Sequence, residues 1–489
     1  MCERPKLFRL TLLPSLLLLC VVLSAAQAQA QASGFSELSA LTERGFLVSA
    51  EARLLDNHEV LGAIESKRLL SPASVSKAYV AAAALDRWGP QHRFDTRLVS
   101  EGNLDAQGRL HGDLVFDGSG DPALSSEDLW RLVQRLHQRG VRDVDGRLVI
   151  SQWRFGPVEC ITTDRCDAHS RVDNAYSALL SSAGINHGSW CVSVAPGAAA
   201  GEPARITNCD SHTPLIDIDN QVVTRPDDSG TELHAERVSR GSGDIMVVKG
   251  QMSLNALPRE LYRASSDPAL QTATLLKAML DQAGIVINGE VVTSIAEPPP
   301  AAWRLAQVEG KPLQEVLLRT MNYSNNFMAD MLALDLVETP RADLDLGGAA
   351  IERFVAGIPG HGELTLRSGS GLTPDNRTSA HGINTLLESM YHRPSLFPSF
   401  VASFQSPGNG VMRFIRRGSP DFQHNVMLKT GTLNEPVAVR AIGGYFRTQR
   451  GRWGVFSVMV NGTATTPWLN WTQVFDPLTE DLTRMITEY

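Results

Sequence analysis

Three strand-like runs close the chain, NVMLKTGTL, AVRAIGGYF and WGVFSVMVNG, and the last two face each other across a charged turn at residues 447–451. Such strands need partners in a sheet and helices to cover it. The other end of the chain supplies both. GFLVSAEARLLDNHEV, at residues 45–60, carries a turn signal at Asp56 and Asn57 and reads as a hairpin. LLSPASVSKAYVAAAALDRW follows at 69–88. Pro72 and the serines suit a first helical turn, and Val75, Tyr79, Ala82 and Leu85 line an apolar face among helix-forming alanines. One sheet-and-helix domain is therefore split in sequence, with a long insertion after its first helix.

The insertion has its own texture. Beyond His92 come short strands and glycine turns, the helix-like SSEDLWRLVQRLHQRG, then the strand-like DGRLVISQW, a mixture that again predicts helices on a sheet. Residues 155–230 are loop-rich and are expected to form a small nested lobe. EVVTSIAEPPPAAWRLAQV, at 290–308, carries three consecutive prolines that suit a return to the first domain. KPLQEVLLRTMNYSNNFMADMLALDLV is helical material broken near 322–326. The expected boundaries are 33–95 plus 300–489 for the split domain and 96–299 for the insertion.

Residues 1–32 are excluded from this fold. Arg4, Lys6 and Arg9 precede an apolar run interrupted by Pro14, and AQAQAQA offers small-residue cleavage sites, the pattern of an export signal rather than a membrane span. The net charge of −8 argues against nucleic acid, whose backbone selects the opposite sign; RFIRRG reads as a solvated face. Cys2 and Cys20 fall in the leader. Cys160, Cys166, Cys191 and Cys209 share one short stretch without zinc-finger spacing, so export predicts one or two disulfides, with three pairings open if all four are joined.

Three short motifs carry chemistry. Ser74-Val75-Ser76-Lys77 puts an amine about one turn after a hydroxyl, and a serine becomes nucleophilic only when a base takes its proton. A lysine serves as that base once burial or nearby positive charge lowers its pKa from about 10.4. Ser324-Asn325-Asn326 places a hydroxyl and an amide in the helix break, suited to relaying a proton and to holding an amide. Lys429-Thr430-Gly431-Thr432 lies in a strand whose alternation sends Lys429 and Gly431 to one side and Thr430 to the other, with charge and hydroxyls fit for a peptide carboxylate.

Together these motifs make the chain resemble the serine penicillin-recognising enzymes. Within them it is most similar to the penicillin-binding protein 4 type of D-alanyl-D-alanine carboxypeptidase and endopeptidase, which carries a large insertion between the first two motifs. SPASVSK, HGDLVFDGSGDPAL at 111–124, MNYSNN, SGSGLTPDNRTS at 368–379 and LKTGTL carry the likeness. The resemblance implies an α/β (α+β) fold of the serine β-lactamase/DD-peptidase type, an antiparallel sheet with helices, in the periplasm. It implies Ser74 as the acylated nucleophile, Lys77 as base, Ser324 in proton transfer and Asn326 in positioning. Lys429 and Thr430 would engage the terminal carboxylate, Thr432 would border the site, and the backbone N–H groups of Ser74 and Thr432 would stabilise the oxyanion.

The implied partners are peptidoglycan stem peptides, with β-lactams as covalent inhibitors and peripheral association with the cell envelope left open; no metal or organic cofactor is called for. The family's usual D-G-S-G-L-S-R stands here as Ser368 to Pro374, losing an acid and a base in a segment expected to border the groove, where Arg377 offers some positive potential. Two rivals share these motifs, a β-lactamase-like hydrolase and a catalytically weak cell-wall-binding protein.

Overall fold

A computed structural model describes residues 34–209, 216–227, 229–240 and 243–489. The leader expected at 1–32 lies outside them. Among the described residues no helix is long and apolar enough to cross a membrane.

The split domain is built on α1 (Ser36–Glu43), β1 (Leu47–Leu54), β2 (Val60–Ile64), a 3₁₀ turn (Ala73–Ser76) and α2 (Lys77–Trp88). After the insertion come α3 (Leu313–Asn322), α4 (Asn326–Asp335), α5 (Ala380–Tyr391), β3 (Val426–Leu433), β4 (Val439–Arg447), β5 (Trp453–Asn461) and α6 (Thr472–Glu488). The five strands pair antiparallel in the order β3-β4-β5-β1-β2, so the last strand of the chain bonds the first. The hairpin and the turn between β4 and β5 stand where the sequence put them.

Both faces of this sheet are covered, so its strands bury apolar side chains on both sides. Along β5, Val455 and Met459 face the core shared with α2 and α5, while Phe456, Val458 and Val460 face the core shared with α1 and α6. In α2 the expected apolar face widens to the whole first two turns: every residue from Lys77 to Leu85 is buried. Alanine makes this possible, since a helix packed on all sides needs small side chains where its neighbours approach closely.

The insertion leaves through the strand Asp95–Ser100 and returns through Trp303–Glu309, and these two pair antiparallel at one side of a five-stranded sheet. The helices Ser126–Gln138 and Pro268–Gln282 share its core. The cysteine-bearing lobe adds a three-stranded and a four-stranded sheet whose strands continue to Ala264. It holds two disulfides, Cys160–Cys166 and Cys191–Cys209. A fourth apolar cluster joins the lobe to the split domain, with Phe155, Val172 and Leu179 packed against Phe327, Met331 and Leu334 of α4.

Candidate active site

Ser74 sits in the 3₁₀ turn rather than in the α-helix, which begins at Lys77. The turn is held by unusual backbone: Ala73 has φ of +44°, a left-handed conformation that side chains rarely adopt. Gly431 of β3 crosses the turn so closely that an added Cβ would lie 2.5 Å from the Pro72 carbonyl oxygen and 2.8 Å from the Ser74 nitrogen. The K-T-G glycine is thus required by the approach of strand to turn. Ser74 remains partly exposed, while Lys77 is fully buried.

The Lys77 amine has three neighbours. Its Nζ lies 2.9 Å from Ser74 Oγ, 2.8 Å from Asn326 Oδ1 and 2.6 Å from the Ser370 carbonyl oxygen. The Asn326 amide is oriented by its other end, where Nδ2 donates to the Tyr176 carbonyl at 3.0 Å. Two of the three neighbours are carbonyl oxygens that can only accept. A neutral amine therefore spends its two N–H groups on them and turns its lone pair to the Ser74 hydroxyl. The environment favours that neutral form: burial, reinforced by the charge of Lys429, holds Lys77 well below the ordinary lysine value.

Ser324 occupies the break between α3 and α4 with φ of +53°, and Asn325 caps α4 by accepting from the Met328 N–H. Lys429 Nζ donates to Ser324 Oγ at 2.8 Å and to the Thr430 carbonyl at 2.6 Å. Burial pushes Lys429 down to about 7. The three motifs thus meet in two sets of contacts, Ser74–Lys77–Asn326 and Ser324–Lys429. Thr430 is buried and Thr432 exposed. β3 is an edge strand, and Leu428 exchanges both backbone hydrogen bonds with Gln405 on its outer side, at 2.8 and 2.9 Å. Alternation then points the N–H groups of Thr430 and Thr432 to that same outer side.

Several contributors carry no sequence signal of their own. Asp330, fully buried in α4, accepts from Ser368 Oγ at 2.9 Å and from the Ser370 N–H at 2.8 Å, fixing the segment whose carbonyl meets Lys77. Its other oxygen pairs at 2.9 Å with Arg165, which lies in the lobe helix Thr163–Asp167 beside the Cys160–Cys166 bridge. Asp330 draws the Lys77 pKa upward, and Arg165 opposes it. Asn376 donates to Ser76 Oγ and to the Ser368 carbonyl, tying the same segment to the turn that carries Ser74. Arg377 instead donates to carbonyls of its own loop, those of Pro374 and Asn376, and is exposed.

Comparison with known proteins agrees with this architecture. A model of the D-Ala-D-Ala carboxypeptidase 3 (S13) family matches residues 41–480. The D-alanyl-D-alanine carboxypeptidase of Actinomadura sp. (strain R39) is 30% identical over 420 residues, 80% of this chain and 73% of that protein. The D-alanyl-D-alanine carboxypeptidase DacB of Haemophilus influenzae is 25% identical over 450 residues, 88% of each chain. The crystal structure of penicillin binding protein 4 (dacB) from Haemophilus influenzae has the same fold, with a TM-score of 0.73 at 23% identity over 92% of this chain and 98% of that one. The family match runs from ahead of the first strand into the last helix, and the chain accordingly belongs to the D-Ala-D-Ala carboxypeptidase 3 (S13) family of serine-type enzymes.

Proposed function

We propose that Ser74 is the nucleophile of a two-step acyl transfer on peptidoglycan stem peptides ending in D-Ala-D-Ala, with Lys77 as its base. The observation that carries this reading is the Lys77 amine 2.9 Å from Ser74 Oγ, with its N–H groups directed to two carbonyl oxygens. Ser74 Oγ bonds to the carbonyl carbon between the two D-alanines while its proton passes to Lys77. The proton then travels by way of Ser324 to the leaving nitrogen, and the C–N bond breaks. Water next adds to the ester, its proton is taken by the same lysine, and Ser74 is regenerated as the shortened peptide leaves. A free D-alanine leaving group makes this a carboxypeptidase; a leaving amine borne on a second stem peptide makes it an endopeptidase.

Asn326 holds a substrate amide as well as Lys77. Lys429 and Thr430 take the terminal carboxylate, Thr432 borders it, and the backbone N–H groups of Ser74 and Thr432 receive the developing oxyanion. β-Lactams enter as mimics of the same acyl donor; the Haemophilus protein has been crystallised with one. The two disulfides suit an oxidising compartment and support a periplasmic location for the chain. The test is incubation with labelled penicillin and with linear stem peptides, read by mass. The expected result is an adduct on the peptide containing Ser74 and loss of one D-alanine from the substrate. Folded protein that carries its adduct elsewhere, or none, overturns the reading.

A further inference from the structure

The two carbonyl oxygens that take the N–H groups of Lys77 trace back to one short turn of the inserted lobe. Ser370, whose carbonyl is one of them, is fixed through its N–H by Asp330, and Asp330 pairs with Arg165. Asn326, whose Oδ1 is the other, donates from Nδ2 to the Tyr176 carbonyl, and the Tyr176 hydroxyl donates to Asp164 Oδ2 at 3.3 Å. Asp164 and Arg165 are consecutive residues of the helix Thr163–Asp167, and the Cys160–Cys166 bridge closes around them. Both supports of the Lys77 amine therefore start from one covalently closed loop.

The helix Thr163–Asp167 has five residues. An isolated helix is marginal even at roughly 12–15 residues, so this one depends on what holds it from outside. Beyond its last turn Arg237 donates to the Ala168 carbonyl and fastens it to the lobe. Ahead of its first turn the bridge supplies the closure, and both Cys160 and Cys166 are partly exposed. The other bridge differs in each respect. Cys191 is buried, and it lies in the strand Ser189–Ala195, which already pairs antiparallel with Arg205–Asn208 immediately before Cys209. That bridge repeats a connection the ladder makes, whereas Cys160–Cys166 joins a helix to the irregular chain before it.

We infer that the Cys160–Cys166 bridge is a redox control on the base, and that its reduction by an external dithiol slows acylation by releasing Arg165 from Asp330. The inference rests on the proposed role of Lys77. The S–S bond takes two electrons and two protons and becomes two thiols, while the dithiol closes to its own disulfide. The opened turn lets Arg165 exchange Asp330 for water, and Asp330 stays buried without its cation. Among the described residues the charged groups that act on Lys77 are Lys429 from β3, Asp330 from α4 and Arg165 from the lobe. Removing Arg165 tips that balance toward the protonated amine, so fewer molecules carry a neutral base at a given pH. The enzyme is then fastest where the bridge is closed.

The test is the pH profile of penicillin acylation at Ser74, measured on the full chain before and after a dithiol reductant, with the state of each bridge read by thiol mapping. Reduction, and the double substitution Cys160→Ser with Cys166→Ser, should slow acylation about tenfold at neutral pH and move the rising limb to higher pH, where most of the rate returns. Adding Asp330→Asn to the double-serine chain should bring the limb back, and Cys191→Ser with Cys209→Ser should leave it in place. A limb unmoved in the double-serine chain, a loss equal at every pH, or a bridge that the reductant leaves closed in folded protein overturns the control alone. An oxidised parent with no penicillin adduct at Ser74 removes the underlying mechanism and the control with it.

Discussion

At the scale of single residues, the proposed reaction asks the two buried lysines for different protonation states. As the proposed base Lys77 has to be neutral to accept the Ser74 proton, and as the proposed carboxylate anchor Lys429 has to be charged. Lys77→Ala removes the only amine within reach of Ser74 among the described contacts; acylation by penicillin should slow about a thousandfold, a typical cost for losing a general base, with the circular-dichroism melt retained. The pH dependence follows from Lys429. Its pKa in the free protein is about 7, so its charge is lost as pH rises through that value, and kcat/KM for carboxylate-ended peptides should fall above it. A bound carboxylate favours the charged amine, so the corresponding fall in kcat should come at higher pH. A peptide with an amidated terminus should lack the limb near 7, which makes the assignment measurable.

At the scale of elements, the active site is an agreement between a turn, a helix break, a strand and a lobe. Substituting Gly431→Ala would drive a methyl group into backbone atoms of Pro72 and Ser74, neither of which can swing aside. The expected cost is about 1–3 kcal/mol of stability with a larger loss of acylation rate, read by melting and penicillin labelling. Arg165 acts at longer range. Arg165→Ala leaves Asp330 buried without its cation, which raises the Lys77 pKa and should move the acylation optimum to higher pH; Asp330→Asn in the same chain should move it back. A fold effect alone would lower the rate at every pH.

These elements also mark what could be read beforehand. Ser74 with Lys77, Ser324 with Asn326, and the K-T-G strand were legible because each pairs chemistry with a fixed local spacing. The segment at 368–374 was expected to border the groove, and its Ser370 carbonyl meets Lys77. Arg165 and Asp330 were not legible, because a salt bridge between residues 165 positions apart leaves no periodic trace in either stretch. The 3₁₀ geometry at Ser74 was hidden for a related reason: it depends on the strand that crosses it and on the strained Ala73, not on local propensity.

At the scale of the whole molecule, the insertion and the split domain meet over buried acids as well as apolar side chains. Asp121, on the insertion, is pushed up to about 7 chiefly by burial, and Asp335, at the end of α4, is raised well above the usual carboxylate range by burial, with Arg154 opposing. The folded state thus keeps a proton on Asp121 that the unfolded chain has lost above about pH 4. Stability contributed by this group is present at low pH and is lost as pH rises to about 7. Asp121→Asn should therefore melt higher than the parent at pH 8 and show a smaller gain at pH 5, with a difference bounded on the order of 4 kcal/mol. Equal gains at both pH values would assign the effect to packing. Finally, the chain departs and comes back through Asp95–Ser100 and Trp303–Glu309, ladder neighbours about 4.8 Å apart. A short turn would bridge that gap, so shedding the whole module is geometrically trivial. Chemically it is not: excision would bare Phe327, Met331 and Leu334 to water and strand Asp330 without a counterion. Any trimmed descendant must have recoloured that helix first.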